Sequence, residues 1–332
     1  MKSFLSTVRG QPIAVETLRR ALAAQRVHHA YLFDGPEGVG KERTAFGLAQ
    51  ALVCERRSGA EDACGACSAC GRAVPRAGES KPLHPDVVVI ERGLYDPAAL
   101  GRRTPETQDI SIDQVRTLVL ARAAYSPLEG RAKVFLVRRA EELSSSAANA
   151  LLKTLEEPGA RTHFVLLSAV ADSLLPTLRS RTQRVRFGVL PDDDVVALLV
   201  ERGVEPARAA EIALLAGGSM AAALGLGDPE ASARREEFLA RATAALAARE
   251  ADDAYELAEE AKKADKATVI AQIEALAGAL GATARAAAGA PDRTATVAAA
   301  RHALALAAVR EIESNASVQL AVESMLLKMR SA

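Results

Sequence analysis

The sequence predicts an α/β fold in which a parallel sheet carries a phosphate-binding loop, followed by regions built from helices alone. Three observations predict it. The short apolar run AYLF (30–33) leads through GPEGVGK (35–41) into a helical pattern, the strand, glycine loop and helix that phosphate cradles use. Continuous apolar runs alternate with helical stretches as far as residue 187, which is how strands covered on both faces read. Beyond Leu190 the strand pattern stops and alanine-rich helical sequence takes over.

In chain order, Ile13, Val15, Leu18 and Leu22 recur at helical spacing over residues 12–26, which predicts a first helix. The strand at 30–33 follows, and a helix from about Lys41 to Val53. DVVVIE (86–91) predicts a second strand and SIDQVRTLVLARAAY (111–125) a helix. AKVFLVRRA (132–140) predicts a third strand, and residues 144–157 form a helix stopped by Pro158, because proline cannot continue a helix. THFVLLSA (162–169) and QRVRF (183–187) complete five strands. DDDVVALLVERG and PARAAEIALLAGG predict two short helices, with Asp192 or Asp193 as cap and Gly217 and Gly218 as terminator. From about Asp228 the chain reads as helix throughout, broken at 289–294 and 313–317. In the last helix Val318, Val322, Met325 and Met329 share a face that predicts core packing, and the charges from Glu250 to Lys266 predict a solvated face.

Composition narrows the function. At 332 residues the chain has room for two or three domains. Apolar residues make up 49% and aromatic residues 3%, with no Trp, so alanine and leucine must fill the core. The 42 basic and 42 acidic residues cancel, which removes the global positive field of a protein that grips nucleic acid alone. The first residues lack an apolar segment of signal length, and TVIAQIEALAGALGATARAAA (268–288) is interrupted by Gln272, Glu274 and Arg285. A cytoplasmic protein without a membrane span is expected.

The loop keeps Gly35, Gly38, Gly40 and Lys41, whose backbone amides and ammonium suit phosphate oxygens. Magnesium, however, ordinarily uses a Ser or Thr hydroxyl after the lysine and an acid at a strand end. Glu42 occupies the first position, and Arg138 and Arg139 stand at the end of the third strand, with Glu141 and Glu142 arriving late. A carboxylate about 5 Å from a phosphate charge costs roughly 3 kcal/mol at an effective dielectric of about 20. Weak or no ATP binding, and no useful hydrolysis, are expected.

Cys54, Cys64, Cys67 and Cys70 are all the cysteines of the chain. Two overlapping C-x-x-C turns bring three thiolates together, and Cys54 completes a closed tetrahedral set suited to structural Zn2+. An iron–sulfur cluster is the rival at this spacing. His84 in LHPD reads as a turn residue outside the set.

RGQ (9–11), HAYLFDGPEGVGK (29–41), the four cysteines, ANALLKTLEEP (148–158), FVLLSAVADSLLPTLRSRTQRVRF (164–187) and NASVQLAVESMLL (315–327) together resemble the clamp-loader subunits of bacterial DNA polymerase III. The resemblance implies an AAA+ module over 1–188 with a zinc insertion at about 54–71, a helical lid over 189–228, and a helical collar domain over 229–332. It further implies motor (gamma/tau) subunits, a delta subunit, the sliding clamp and primed DNA as partners. Family members place Ser-Arg-Cys before the fifth strand, its arginine entering the neighbour's ATP site. Here the triplet is Ser180, Arg181, Thr182, which makes Arg181 the expected trans-acting finger. The arginine by which motor subunits sense nucleotide aligns with Ala221. The expected member is therefore the stationary, non-motor one.

Two other readings differ in kind. An active motor ATPase requires the magnesium ligands missing here. A zinc-dependent nucleic-acid binder would draw on the ten basic against six acidic residues of segment 126–190, a modest excess for an independent grip.

Overall fold

The computed structural model describes residues 3–57, 62–101, 109–288, 293–313 and 316–331. Parts of the expected cysteine insertion (58–61) and of the breaks at 289–294 and 313–317 lie outside these residues. The chain divides into two compact units, Met1–Leu224 and Gly225–Ala332.

The first unit is built on five parallel strands in the order β2-β3-β4-β1-β5, with β1 Ala30–Asp34, β2 Val87–Ile90, β3 Lys133–Val137, β4 Thr162–Ser168 and β5 Gln183–Arg186. Alternate residues of these strands serve two buried faces. Leu32, Ile90, Phe135, Val137, Phe164 and Leu166 join the cluster formed with helix Ser145–Glu156. Tyr31 and Phe33 point the other way, with the Phe33 ring 5.1 Å from that of Phe187. Burial on both faces explains why the strands read as unbroken apolar runs.

Strand limits are tighter than the sequence predicts, and each loss has a cause. β3 ends at Val137 because Arg139 adopts a left-handed φ of 47°. Asp86 lies one residue before β2, its carbonyl still accepting from Val134 N–H at 2.7 Å, and its side chain holds the turn before β3. Its carboxylate accepts from the backbone N–H groups of Leu128, Glu129 and Gly130 at 2.6, 2.8 and 2.8 Å. Burial disfavours that charge, and the three donors outweigh burial and hold its pKa below the usual carboxylate value. The expected helix at 111–125 is helical over Ile112–Ala123, with a π-helical segment at Arg116–Leu120. The first helix is Pro12–Ala23, and Ile13, expected on its core face, is 81% exposed while Ala14 is buried in its place. Helix Asp192–Val200 has Pro191 at its N-cap, so neither Asp192 nor Asp193 caps it; both lie in its first turn, where negative charge complements the helix dipole. Gly217 ends helix Pro206–Ala216 at a φ of 56°.

The second unit is helical: Pro229–Ala247, Asp252–Lys263, Lys266–Ala286, Thr294–Glu313 and Val318–Arg330. Its core combines Phe238, Leu257, Ile273 and Leu276 with many alanines, whose small side chains let the helices approach closely. Val322, Met325 and Met329 enter this core and Val318 packs at its margin. Helix Lys266–Ala286 is long and apolar enough to cross a membrane by length and composition, yet Val269, Ile273, Leu276 and Ala277 pack inside this unit.

Candidate functional site: a phosphate loop with an ion pair at its metal position

The loop leaves the carboxyl end of β1, where ligands of open parallel sheets bind. Gly40 caps helix Lys41–Val53 with a φ of 99°, and the acidic Glu42 follows in its first turn. Gly38 has a φ of 75°, and a Cβ there would stand 2.4 Å from Ser219 Oγ and 2.5 Å from the Ala221 nitrogen. Glycine is therefore needed both for the turn and for the close approach of the segment after Gly218. That segment is bonded to the loop: Ser219 Oγ donates to the Glu37 carbonyl at 2.9 Å, and Met220 N–H to the Gly38 carbonyl at 3.0 Å. Gly35 N–H donates to the Ser168 carbonyl at 3.3 Å, joining the loop to the end of β4. Gln11 ties in the far side. Its amide donates to the Val39 and Gly188 carbonyls at 3.1 and 2.7 Å and accepts from Gly188 N–H at 3.2 Å.

Lys41 is turned inward. Its ammonium donates to the Gly35 carbonyl and, at 2.5 Å, to that of Pro36. Burial lowers its pKa, opposed by Glu37, Glu141 and Asp34. The lysine thus holds the loop's own carbonyls in this structure.

The metal position is organised differently from the sequence expectation. Glu42, its side chain half exposed, is paired with a cation. It accepts from Arg138 Nη2 at 2.5 Å, while Arg138 Nη1 donates to Glu91 at 2.6 Å. Strand register explains the second contact: Ile90 pairs with Val137, so the next residues, Glu91 and Arg138, emerge side by side. Burial disfavours the Arg138 cation, yet the two carboxylates hold its pKa above the ordinary value. A guanidinium thus sits between the acid after the loop lysine and the acid that follows β2, and Glu42 and Arg138 form one ion pair. Arg139, the second residue at the strand end, faces Glu37 at 3.6 Å and Glu142 at 3.4 Å.

These groups line a cleft of about 370 Å³ that also includes Glu141, Ser168 and Ala221. Ala221 does lie at the cleft, where a sensing arginine would reach it, and brings only a methyl group. Glu91 and Glu141 are cleft residues that sequence reasoning missed or discounted. Glu91 follows an apolar run like any strand end, and only the β2–β3 register places it. Glu141 accepts from Ala169 N–H at 3.3 Å through one oxygen and buries the other without a partner.

Arg181 lies outside this cleft, beyond the helical turn Pro176–Arg179. Its Nε donates to Glu156 at 2.6 Å and its Nη1 to the Thr177 carbonyl at 2.8 Å. Neighbouring basic groups are also paired: Arg179 with Asp172 at 2.7 Å, and Arg184 with Asp34 at 2.5 Å.

The four cysteines converge. Their sulfur atoms all lie within 4.8 Å of one another, and Cys64 and Cys70 Sγ are 3.8 Å apart. Thiolates about 2.3 Å from one tetrahedral ion stand about 3.8 Å apart, so the set fits a single metal ion. A polynuclear cluster, whose thiolates serve different irons, needs wider spacing. Cys54 follows helix Lys41–Val53 directly and Cys67 is the N-cap of helix Ser68–Arg72. Backbone N–H groups point at sulfur: Ala66 and Cys67 to Cys64 at 3.5 and 3.3 Å, Cys70 to Cys67 at 3.4 Å, and Cys64 to Cys54 at 3.4 Å. The donors from Ala66 and Cys67 bring the Cys64 thiol down to about 6. His84 stands apart, buried, with Nδ1 accepting from Asp86 N–H at 3.1 Å.

Fold and site define a class: a phosphate-loop α/β module followed by a helical unit, with an ion pair in the cleft beside the loop lysine. Residues 10–191 match the family described as DNA polymerase III, delta subunit, more than half of the chain, and the chain belongs to this family of clamp-loader subunits. It is 42% identical to a DNA polymerase III subunit delta' of Pseudomonas aeruginosa, over 46% of this chain and 41% of that protein. It is 30% identical to the subunit delta' of Bacillus subtilis, over 59% of this chain and 53% of that protein. A subunit gamma/tau of Mycobacterium tuberculosis is 37% identical over 59% of this chain and 30% of that protein. The chain thus matches between about a third and a half of the length of these relatives. A crystal structure of a DNA polymerase III gamma subunit-related protein from Thermotoga maritima superposes with a TM-score of 0.51, at 19% identity, over 95% of this chain and 98% of that one. At that identity the likeness concerns the fold.

The Glu42–Arg138 pair predicts a reciprocal experiment. Arg138→Asp alone leaves Glu42 and Glu91 beside a third carboxylate and is expected to lower stability by about 1–3 kcal/mol, whereas Glu42→Thr alone leaves Arg138 paired with Glu91 and is expected to cost about 1 kcal/mol or less; neither is expected to give magnesium-dependent nucleotide binding. The double variant supplies a hydroxyl and a strand-end acid together, leaves Glu91 as a second carboxylate beside that acid, and is expected to bind nucleotide more tightly with magnesium, which offsets the two acids, than with EDTA. Titration calorimetry with and without magnesium checks this.

Proposed function

We propose that the chain is the delta prime subunit of the DNA polymerase III clamp loader, a non-motor member that donates Arg181 in trans to the ATP site of a neighbouring motor subunit. One observation carries the reading: in a clamp-loader fold, the position that magnesium needs beside the loop lysine holds the Glu42–Arg138 pair. Such a cleft is poorly built to hydrolyse ATP, so the chain's contribution to turnover lies elsewhere. The Ser180–Arg181 pair supplies it, because an arginine placed on a neighbour's γ-phosphate neutralises charge that develops in the transition state.

In this reading, residues 1–188 form the AAA+ module, 189–228 the lid and 229–332 the collar, in a cytoplasmic assembly with gamma/tau, delta and the sliding clamp. Primed DNA is met through that assembly, in keeping with the chain's zero net charge. The four cysteines hold structural Zn2+. The ion would pin residues 54–70 to the end of helix Lys41–Val53, a segment with few apolar residues of its own. ATP binds the degenerate loop weakly.

A second reading, a motor ATPase, is favoured by the identity to gamma/tau. The isolated chain distinguishes the two: negligible turnover, unaltered by Lys41→Ala, is expected of delta prime, whereas brisk turnover abolished by that change establishes a motor. Arg181→Ala is expected to leave folding and assembly intact and to lower DNA-stimulated ATPase of the reconstituted loader at least about tenfold; unchanged turnover overturns the finger assignment. Elemental analysis is expected to find one zinc per chain, lost when Cys67 and Cys70 are replaced by serine; iron in its place selects the rival metal.

A further inference from the structure

The guanidinium of Arg181 is engaged at all three nitrogens within its own chain. Nε, at 2.6 Å, and Nη2 both bind Glu156 Oε1, while Nη1 binds the Thr177 carbonyl at 2.8 Å and Ser180 Oγ at 3.4 Å. The Nε–Nη2 edge is one of the paired N–H edges by which arginine grips an oxyanion, and Glu156 covers it. Glu156 is itself oddly placed. It is the last residue of helix Ser145–Glu156, where the helix dipole disfavours negative charge. Among the described residues this carboxylate is paired with Arg181. The nearby Arg179 and Arg184 are paired with Asp172 and Asp34.

We propose that Glu156 is a latch: it holds Arg181 folded against its own chain, and the finger is released when a neighbouring subunit's nucleotide phosphate displaces the carboxylate. This inference rests on the trans-finger reading of Arg181. Magnitudes allow the exchange. The two side chains are 31% and 47% exposed, and an exposed pair of this kind contributes about 1 kcal/mol or less. A triphosphate offers several negative charges and a charge-assisted, two-pronged contact, so it can outbid one exposed carboxylate. Parking keeps the arginine ordered and off other anions until a loaded site is alongside.

The test uses the reconstituted loader, with ATP varied in the presence of primed DNA and clamp. Glu156→Gln keeps the size of the side chain and removes the charge. It is expected to lower the half-saturating ATP concentration about two- to fivefold, the range set by losing an exposed pair, with kcat at saturation retained. The shift is expected to shrink as salt rises, because salt screens the pair in the parent protein. Circular dichroism melting of the purified variant checks that it is folded. Arg181→Ala runs alongside. If it leaves turnover unchanged, the finger reading fails and takes the latch with it. If Arg181→Ala lowers turnover but Glu156→Gln leaves the half-saturating concentration unchanged, raises it, or lowers kcat, the finger stands and the latch is overturned.

Discussion

The cleft is organised around the Arg138 guanidinium, held between Glu42 and Glu91. An arginine this deep in a phosphate-loop site is costly to bury unless it is paired. Two carboxylates, one from the helix after the loop and one from the neighbouring strand, make it tolerable. The same pairing ties helix Lys41–Val53 to the ends of β2 and β3.

The rest of the loop is consistent with that constraint. Lys41 faces inward onto carbonyls, and the segment Ser219–Ala221 lies against Gly38 with a methyl group at the cleft. Gln11 bridges the loop and Gly188. The glycine loop, the segment after Gly218 and Gln11 thus hold one another in place around the cleft.

Much of the fold was legible in the sequence because its periodicities are strong. Apolar runs located all five strands to within a few residues, and the cysteine spacing located the four-sulfur set. Proline and glycine marked helix ends correctly at Pro158 and Gly217. What misled was local reading of groups whose partners are distant. The role of the Asp86 side chain is invisible locally, because the three N–H groups it accepts from lie more than forty residues away. Ile13 fits the helical period yet faces solvent, since a period names a stripe and not its edge. Glu42, Arg138 and Ala221 looked like three separate losses, and two of them are one ion pair.

By itself the sequence determined the parallel α/β module, the helical remainder, the loop glycines, the tetrad of cysteines and the absence of ordinary magnesium ligands, because each follows from residue type at short spacing. Only the tertiary structure decided which charges meet. Glu42 and Arg138 are 96 residues apart, and Arg181 and Glu156 are 25 apart. Strand register and helix packing bring each pair together, and no local pattern carries that information. Coulomb energy depends on distance in space, so whether an acid in this chain repels a phosphate, neutralises an arginine or restrains one could be settled only once the chain was folded.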